Sequence, residues 1–293
     1  SDYLFTPSPE GDENLAKEGV PSEKIFLVGD IMVDSLLFHL DQAKSTNILS
    51  RLGLKLTTAD GRRPTADSPP SSLQPRTTDN GQRTTDSFSP DLCGSEAPPS
   101  APCSTLPYAL MTLHRPANVD DKQALEKIVS ALLDVSAHFP ILFPVHPRTA
   151  KQIKAFGMEG SFEFHPSPDI KQEEYFEHGA LKRKIHCFAP LGYLDFLNLM
   201  SNAKVVLTDS GGIQEETTVL NIPCITLRDT TERPITLTEG TNVLVYNNPE
   251  KIVAEVNKVL KGQTRVSRCP SLWDGHTAER IVDILARRVC GGF

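Results

Sequence analysis

Several short polar stretches carry residue types that can grip or protonate an anion. Asp209-Ser210-Gly211-Gly212-Ile213-Gln214-Glu215-Glu216 is the most informative. Two successive glycines let backbone N–H groups approach an anion closely, and a helix starting there adds the positive end of its dipole. Ser210 can donate to a phosphate oxygen or simply cap the helix, with Glu215 and Glu216 favouring the dipole. Glu216, one turn in, also suits a vicinal diol such as that of a ribose. The loop Arg228-Asp229-Thr230-Thr231-Glu232-Arg233-Pro234 tilts the balance toward an anion site. Arg233 can supply a second, charge-assisted phosphate contact, whereas Arg228 better suits an internal salt bridge with Glu232.

His114-Arg115 is the second candidate. A histidine beside an arginine can donate to a phosphate or protonate a leaving oxygen. His146, just before Pro147, fits either a binding or a structural role. His138, His165, His178, His186 and His276 lack such context and read as structural or exposed. In Leu191-Gly192-Tyr193-Leu194-Asp195-Phe196, main-chain groups could read a base edge with Phe196 covering it, and core packing explains the pattern equally well.

These residues need elements to place them. Tyr3-Leu4-Phe5 predicts a strand, residues 8–19 a helix with a glycine stop, Ile25–Asp30 a strand, and Asp34–Leu40 a helix with Leu36, Leu37 and Leu40 on one face. From Tyr108 onward strand and helix signals alternate. Strands are predicted at Ala109–Leu113, Ile141–Val145, Ile185–Phe188, Lys204–Asp209, Pro223–Leu227 and Val243–Val245. Helices are predicted at Asp120–Ala137, Ala150–Phe156, Tyr193–Met200, from Gly211 to about Leu220, and at Pro249–Leu260. Such alternation predicts an α/β, Rossmann-like parallel sheet whose ligands bind beyond the strand C-termini. His114, Arg115, His146 and the Ser210-Gly211-Gly212 turn all fall there.

Between these parts, residues 55–106 change character. The segment is rich in Pro, Ser, Thr and Asp, and Arg76-Thr77-Thr78-Asp79 recurs as Arg83-Thr84-Thr85-Asp86. So little apolar surface cannot offset the entropy of ordering, and a low-complexity disordered insert without function is predicted. The 293 residues allow about two domains. A net charge of −7 argues against a nucleic-acid partner held by phosphate neutralisation. No apolar run is long enough to span a membrane, and no leader is evident in the first residues. Six cysteines without a CxxC pair fit a reducing cytoplasm and predict neither a metal nor a disulfide framework. No cofactor is expected.

Thr112-Leu113-His114-Arg115-Pro116, Pro144-Val145-His146-Pro147, Pro190-Leu191-Gly192-Tyr193, Thr208–Glu216 and Arg228–Pro234 together resemble the motif series of the non-hydrolysing bacterial UDP-N-acetylglucosamine 2-epimerases. Asp274–Ile281 resembles that family's terminal helix. The resemblance covers about 1–54 and 107–290. It implies the C-terminal half of a GT-B-type two-domain fold: 1–34 as a remnant of the N-terminal domain and crossover, 35–54 a linking helix, 107–265 a UDP-binding Rossmann-like domain, and 266–293 a helix returning toward the N-terminal domain. The implied activity is interconversion of UDP-GlcNAc and UDP-ManNAc by elimination and re-addition of UDP.

By that resemblance, Ser210, Gly211 and Gly212 would hold the diphosphate, Glu216 the ribose, and Arg233 the phosphates. His114 would stabilise the departing UDP, Arg115 and His146 would line the substrate site, and main chain at Leu191 and Phe196 would meet the uracil. A homodimer is the expected assembly. Two departures stand out. Most of the family's N-terminal domain, which supplies the acidic residues that move the C2 proton, has no counterpart in the sequence, and the position after Arg115-Pro116, commonly acidic, is Ala117. UDP binding without turnover is therefore expected of this chain. The alternatives are a catalytically inactive UDP-binding module and a UDP-sugar glycosyltransferase of GT-B type.

Overall fold

A computed structural model describes residues 1–55, 105–178 and 180–290. The insert and its repeats lie almost wholly outside them. In chain order the elements are β1 (Leu4–Thr6), α1 (Pro9–Lys17), β2 (Ile25–Leu27), α2 (Ile31–Lys44) and α3 (Ile48–Arg51), then β3 (Ala109–Thr112), α4 (Pro116–Val119), α5 (Lys122–Val135), β4 (Ile141–Pro144) and α6 (Pro147–Ala155). Beyond these come β5 (Phe162–Phe164), β6 (Phe176–Glu177), β7 (Ala180–Leu181), β8 (Ile185–Phe188), α7 (Tyr193–Ser201), β9 (Val205–Thr208) and α8 (Gly211–Val219). The last are β10 (Cys224–Thr226), α9 (Pro234–Thr238), β11 (Asn242–Leu244), α10 (Pro249–Leu260) and α11 (Thr277–Cys290).

Seven strands form one parallel sheet in the order β11-β10-β9-β3-β4-β8-β5. The strands are almost entirely apolar because helices cover both faces. Alternate residues feed two cores. Ala109, Met111 and Leu113 of the β3 region join Leu125, Ile128, Phe143 and Val256 on the face covered by α5 and α10. Tyr108 and Leu110 point the other way, into a core with Leu36, Leu52, Leu197 and Met200. The expected α/β, Rossmann-like parallel sheet is the one found.

Some boundaries differ from the sequence expectation. α2 begins at Ile31 rather than Asp34, because the Asp30 carboxylate caps it by accepting from Met32 N at 2.9 Å. Leu36 is buried, but Leu37 faces outward at 37% exposed. α6 starts at Pro147 rather than Ala150, since proline is pre-set for a first helical turn and His146 Nδ1 accepts from Arg148 N at 3.2 Å. The stretch at 158–184, where no element is predicted, contains the edge strand β5 and the β6–β7 antiparallel pair. Strands this short and polar carry little periodic signal.

β1 and β2 pair in parallel as a separate two-stranded sheet. The C-terminal segment is sewn to this region. Asp34 accepts from Thr277 N and Ala278 N at 3.1 and 2.7 Å, capping α11, and Trp273 Nε1 donates to Pro7 O at 2.9 Å. Gly29 has φ +94, and a Cβ there would collide with the Leu272 carbonyl, so only glycine permits this close approach. No helix among the described residues is long and apolar enough to cross a membrane.

Candidate functional site

The chain leaves β3 toward β4 on one side, and leaves β9 toward β10 on the other, although β3 and β9 are neighbours. Their following loops diverge and open a crevice at this switch point. Asp209 ties the two loops together. Fully buried, its carboxylate accepts from Arg115 N at 2.8 Å, from His114 N at 3.1 Å and from Asn118 Nδ2 at 3.2 Å. His114 Nδ1 also lies 3.3 Å from Asp209 Oδ1. A carboxylate on Nδ1 orients the ring, and the side chain is 51% exposed.

The β9–α8 turn forms the floor. Ser210 N donates to Thr208 Oγ1 at 3.0 Å, and that hydroxyl pairs with Thr112 Oγ1 at 2.7 Å across the β3–β9 ladder. Ser210 occupies the N-cap position of α8 but its side chain makes no capping bond, so the plain-cap role is not realised and the hydroxyl is not engaged by the helix. Gln214 Nε2 donates back to Ser210 O at 3.1 Å and fixes the turn from inside. Neither Gly211 nor Gly212 has a positive φ, so the backbone conformation does not require glycine. A Cβ on Gly212 would meet nothing within 4 Å. What glycine preserves there is open space above the N–H groups of the first helical turn.

Residues four apart share a helix face, so α8 presents two acidic edges. Below Gly211, Glu215 is buried and bonds Arg233 Nε. Burial and the nearby Asp30 carboxylate push the Glu215 carboxyl up to about 7, against the pull of Arg233. Below Gly212, Glu216 accepts from Tyr193 OH at 3.2 Å, and its burial raises it to about 6. Both glutamates, expected to favour the helix dipole and, for Glu216, to meet a diol, are buried titratable groups. Arg233, expected on phosphate, is held at the rim of the turn by Glu215.

The expected Arg228–Glu232 ion pair is present, with Nη1 and Oε2 2.6 Å apart. Glu232 reaches further than expected, because its other oxygen accepts from Arg115 Nη2 at 3.1 Å. Two hydrogen bonds to one buried amide hold this loop: Thr231 Oγ1 donates to Gln214 Oε1 at 2.6 Å, and Asn242 Nδ2 donates to the same oxygen at 2.9 Å. His146 sits exposed at the end of β4 as the cap of α6. Leu191 and Phe196 pack partly buried on the second core. His186 is buried in contact with His165, in keeping with the structural role expected of both.

Sequence patterns did not single out Asp209, Asn118, Gln214, Glu215 or Tyr193 for roles of their own. The available signal for Asp209 was a charged residue ending an apolar strand. Asn118 and Gln214 gave none, since an amide within a helix is ordinary. Among the described residues, no group of three or more His, Cys, Asp or Glu is placed to hold a metal ion.

A family model described as UDP-N-acetylglucosamine 2-epimerase matches residues 1–60 and 81–286. The UDP-N-acetylglucosamine 2-epimerase of Methanocaldococcus jannaschii is 33% identical over 97% of the chain and 61% of its own length. The UDP-2,3-diacetamido-2,3-dideoxy-D-glucuronate 2-epimerase of Pseudomonas aeruginosa is 29% identical over 98% of the chain and 60% of its own length. The crystal structure of the M. jannaschii enzyme in complex with UDP-GlcNAc and UDP superposes with a TM-score of 0.66, at 31% identity over 98% of this chain and 61% of that one. The chain thus spans about three-fifths of the length of the relatives it matches.

Proposed function

The chain belongs to the UDP-N-acetylglucosamine 2-epimerase family, and from that membership we propose that it binds the UDP moiety of UDP-GlcNAc and serves its 2-epimerisation to UDP-ManNAc. The observation that carries this is the junction at Asp209, which brings His114 and Arg115 beside an open, glycine-lined helix N-terminus. A diphosphate is the anion that suits it: N–H groups of the first turn of α8 and the hydroxyl of Ser210 donate to its oxygens, with Arg115 and Arg233 at the rim. Glu216 would receive the ribose diol, and main chain at Leu191 with the ring of Phe196 would meet the uracil. His146 lines the same end of the sheet. The M. jannaschii relative, solved with UDP-GlcNAc and UDP, supports a UDP-sugar as the ligand.

The C2 hydrogen of a GlcNAc residue is not acidified by a neighbouring carbonyl. Loss of a proton from C2 and of UDP from C1 leaves a C1–C2 double bond. Protonation of C2 from the other face and return of the UDP oxygen to C1 complete the inversion. His114, oriented by Asp209, would stabilise the oxygen of the departing diphosphate. In the same proposal, residues 107–265 form the UDP-binding domain, 266–293 return along the N-terminal elements, and the protein acts in the cytoplasm as a homodimer.

The test is incubation of the chain with UDP-GlcNAc in deuterated water, alongside calorimetric titration with UDP. UDP binding without deuterium at C2 is expected, because the groups described here address the nucleotide rather than C2. Deuterium at C2 would show that these residues suffice for turnover. Absence of UDP binding would remove the assignment of the pocket.

A further inference from the structure

The crevice already contains one anion, supplied by the protein itself. Glu232 stands where the ends of three adjacent strands converge. Its Oε1 accepts from Arg115 Nη2, after β3, at 3.1 Å, and its Oε2 lies 2.6 Å from Arg228 Nη1, after β10. The same Oε1 is 3.0 Å from the position a Cβ would take on Gly211, after β9. The carboxylate thus sits against the start of α8, between two guanidinium groups. Against the desolvation of partial burial, its own backbone N–H and these two cations hold it below the usual carboxylate range.

Two further contacts make this a held arrangement. Thr231 Oγ1 donates to the buried Gln214 at 2.6 Å and accepts from Arg233 N at 3.0 Å, which anchors the loop on both sides of Glu232. Arg233 is itself engaged by Glu215. Of the cations around the turn, Arg115, Arg228 and Arg233 all face internal carboxylates.

We propose that the Glu232 carboxylate is a built-in competitor for the diphosphate: it keeps Arg115 and Arg228 poised over Gly211, and must leave them when the diphosphate of the nucleotide enters. The proposal rests on the reading of this turn as the diphosphate cradle. Two anions cannot share so small a region without strong repulsion, so the carboxylate has to move or its charge must oppose the ligand. Affinity is then set by the difference between two anions at one cluster of arginines, in which Arg115 meets both. Such a residue tunes release of the product nucleotide, because swinging back helps expel it.

Glu232→Gln keeps the size of the side chain and removes its charge, and Glu232→Ala removes both. Titration of the wild-type chain and both variants with UDP, and separately with inorganic pyrophosphate, tests the idea. Both variants are expected to bind each probe about tenfold more tightly than the wild type. Wild-type binding with equal or weaker binding by the variants would overturn the competitor role and make Glu232 a positioning residue for the arginines. Should one variant fail to fold, the other carries the comparison. Failure of the wild type to bind either probe would instead overturn the cradle on which the proposal stands.

Discussion

At Gly212 the absence of a side chain serves neither backbone strain nor internal packing, since its φ is ordinary and no protein atom approaches. Gly212→Val should therefore leave thermal stability nearly unchanged, with at most the ordinary penalty or gain of an exposed helix-start substitution. It should nonetheless abolish UDP binding by filling the space above the helix N-terminus. Preserved affinity in a titration would refute the site. Glu216 makes a pH prediction at the same scale. Its carboxyl titrates at about 6, raised by burial, and only the ionised form accepts from both hydroxyls of a ribose. Affinity for UDP-GlcNAc, whose diphosphate diester does not ionise in this range, should rise about tenfold between pH 5 and 7. Glu216→Gln should weaken binding and flatten that rise. A variant with the full wild-type slope would dismiss Glu216 as the diol acceptor.

Among the elements, β8, which lies between β4 and the edge strand β5, has its own acid sensitivity. His186 is 1% exposed, stacks on His165 with its Nδ1 3.1 Å from the latter's Nε2, and meets the ring of Tyr175. Burial lowers its pKa to about 4. The unfolded chain accepts that proton near 6.5, so between the two values the unfolded state binds more protons and stability falls on acidification. From pH 7.5 to pH 5 the loss from this one group should be about 2 kcal/mol, read from urea denaturation. His165, lowered in the same direction by burial, adds to it. His186→Gln should be less stable at neutral pH but show a shallower dependence. An unchanged slope would assign the acid sensitivity elsewhere.

For the whole molecule, the question is how much of the chain the fold needs. Lys55 and Thr105 form an antiparallel bridge, and Leu106 N donates to Leu54 O at 2.7 Å, so the chain departs and returns at one place. Replacing residues 57–103 by a short hairpin turn should shift the melting temperature by no more than about 2 °C. A drop of about 10 °C would show that the intervening segment contributes to stability.

The alternation of apolar strands with amphipathic helices was legible from Ala109 onward because strands buried on both faces must be apolar throughout, and helices at their faces must repeat every 3.6 residues. The glycine pair, His114-Arg115 and the Arg228–Pro234 loop were legible for a related reason: polar residues at strand ends stand out against apolar strands. Strand order was not written there. Only the folded sheet placed β9 beside β3, and that neighbourhood makes Asp209 a junction and brings Glu232 onto Arg115, a residue 117 positions away along the chain. The raised carboxyls of Glu215 and Glu216 likewise arise from burial and from the Asp30 carboxylate that caps α2, which no local pattern of residues contains. Local propensity and hydrophobic period act over a few residues, whereas the electrostatics of this site come from groups that meet only after the chain has closed on itself.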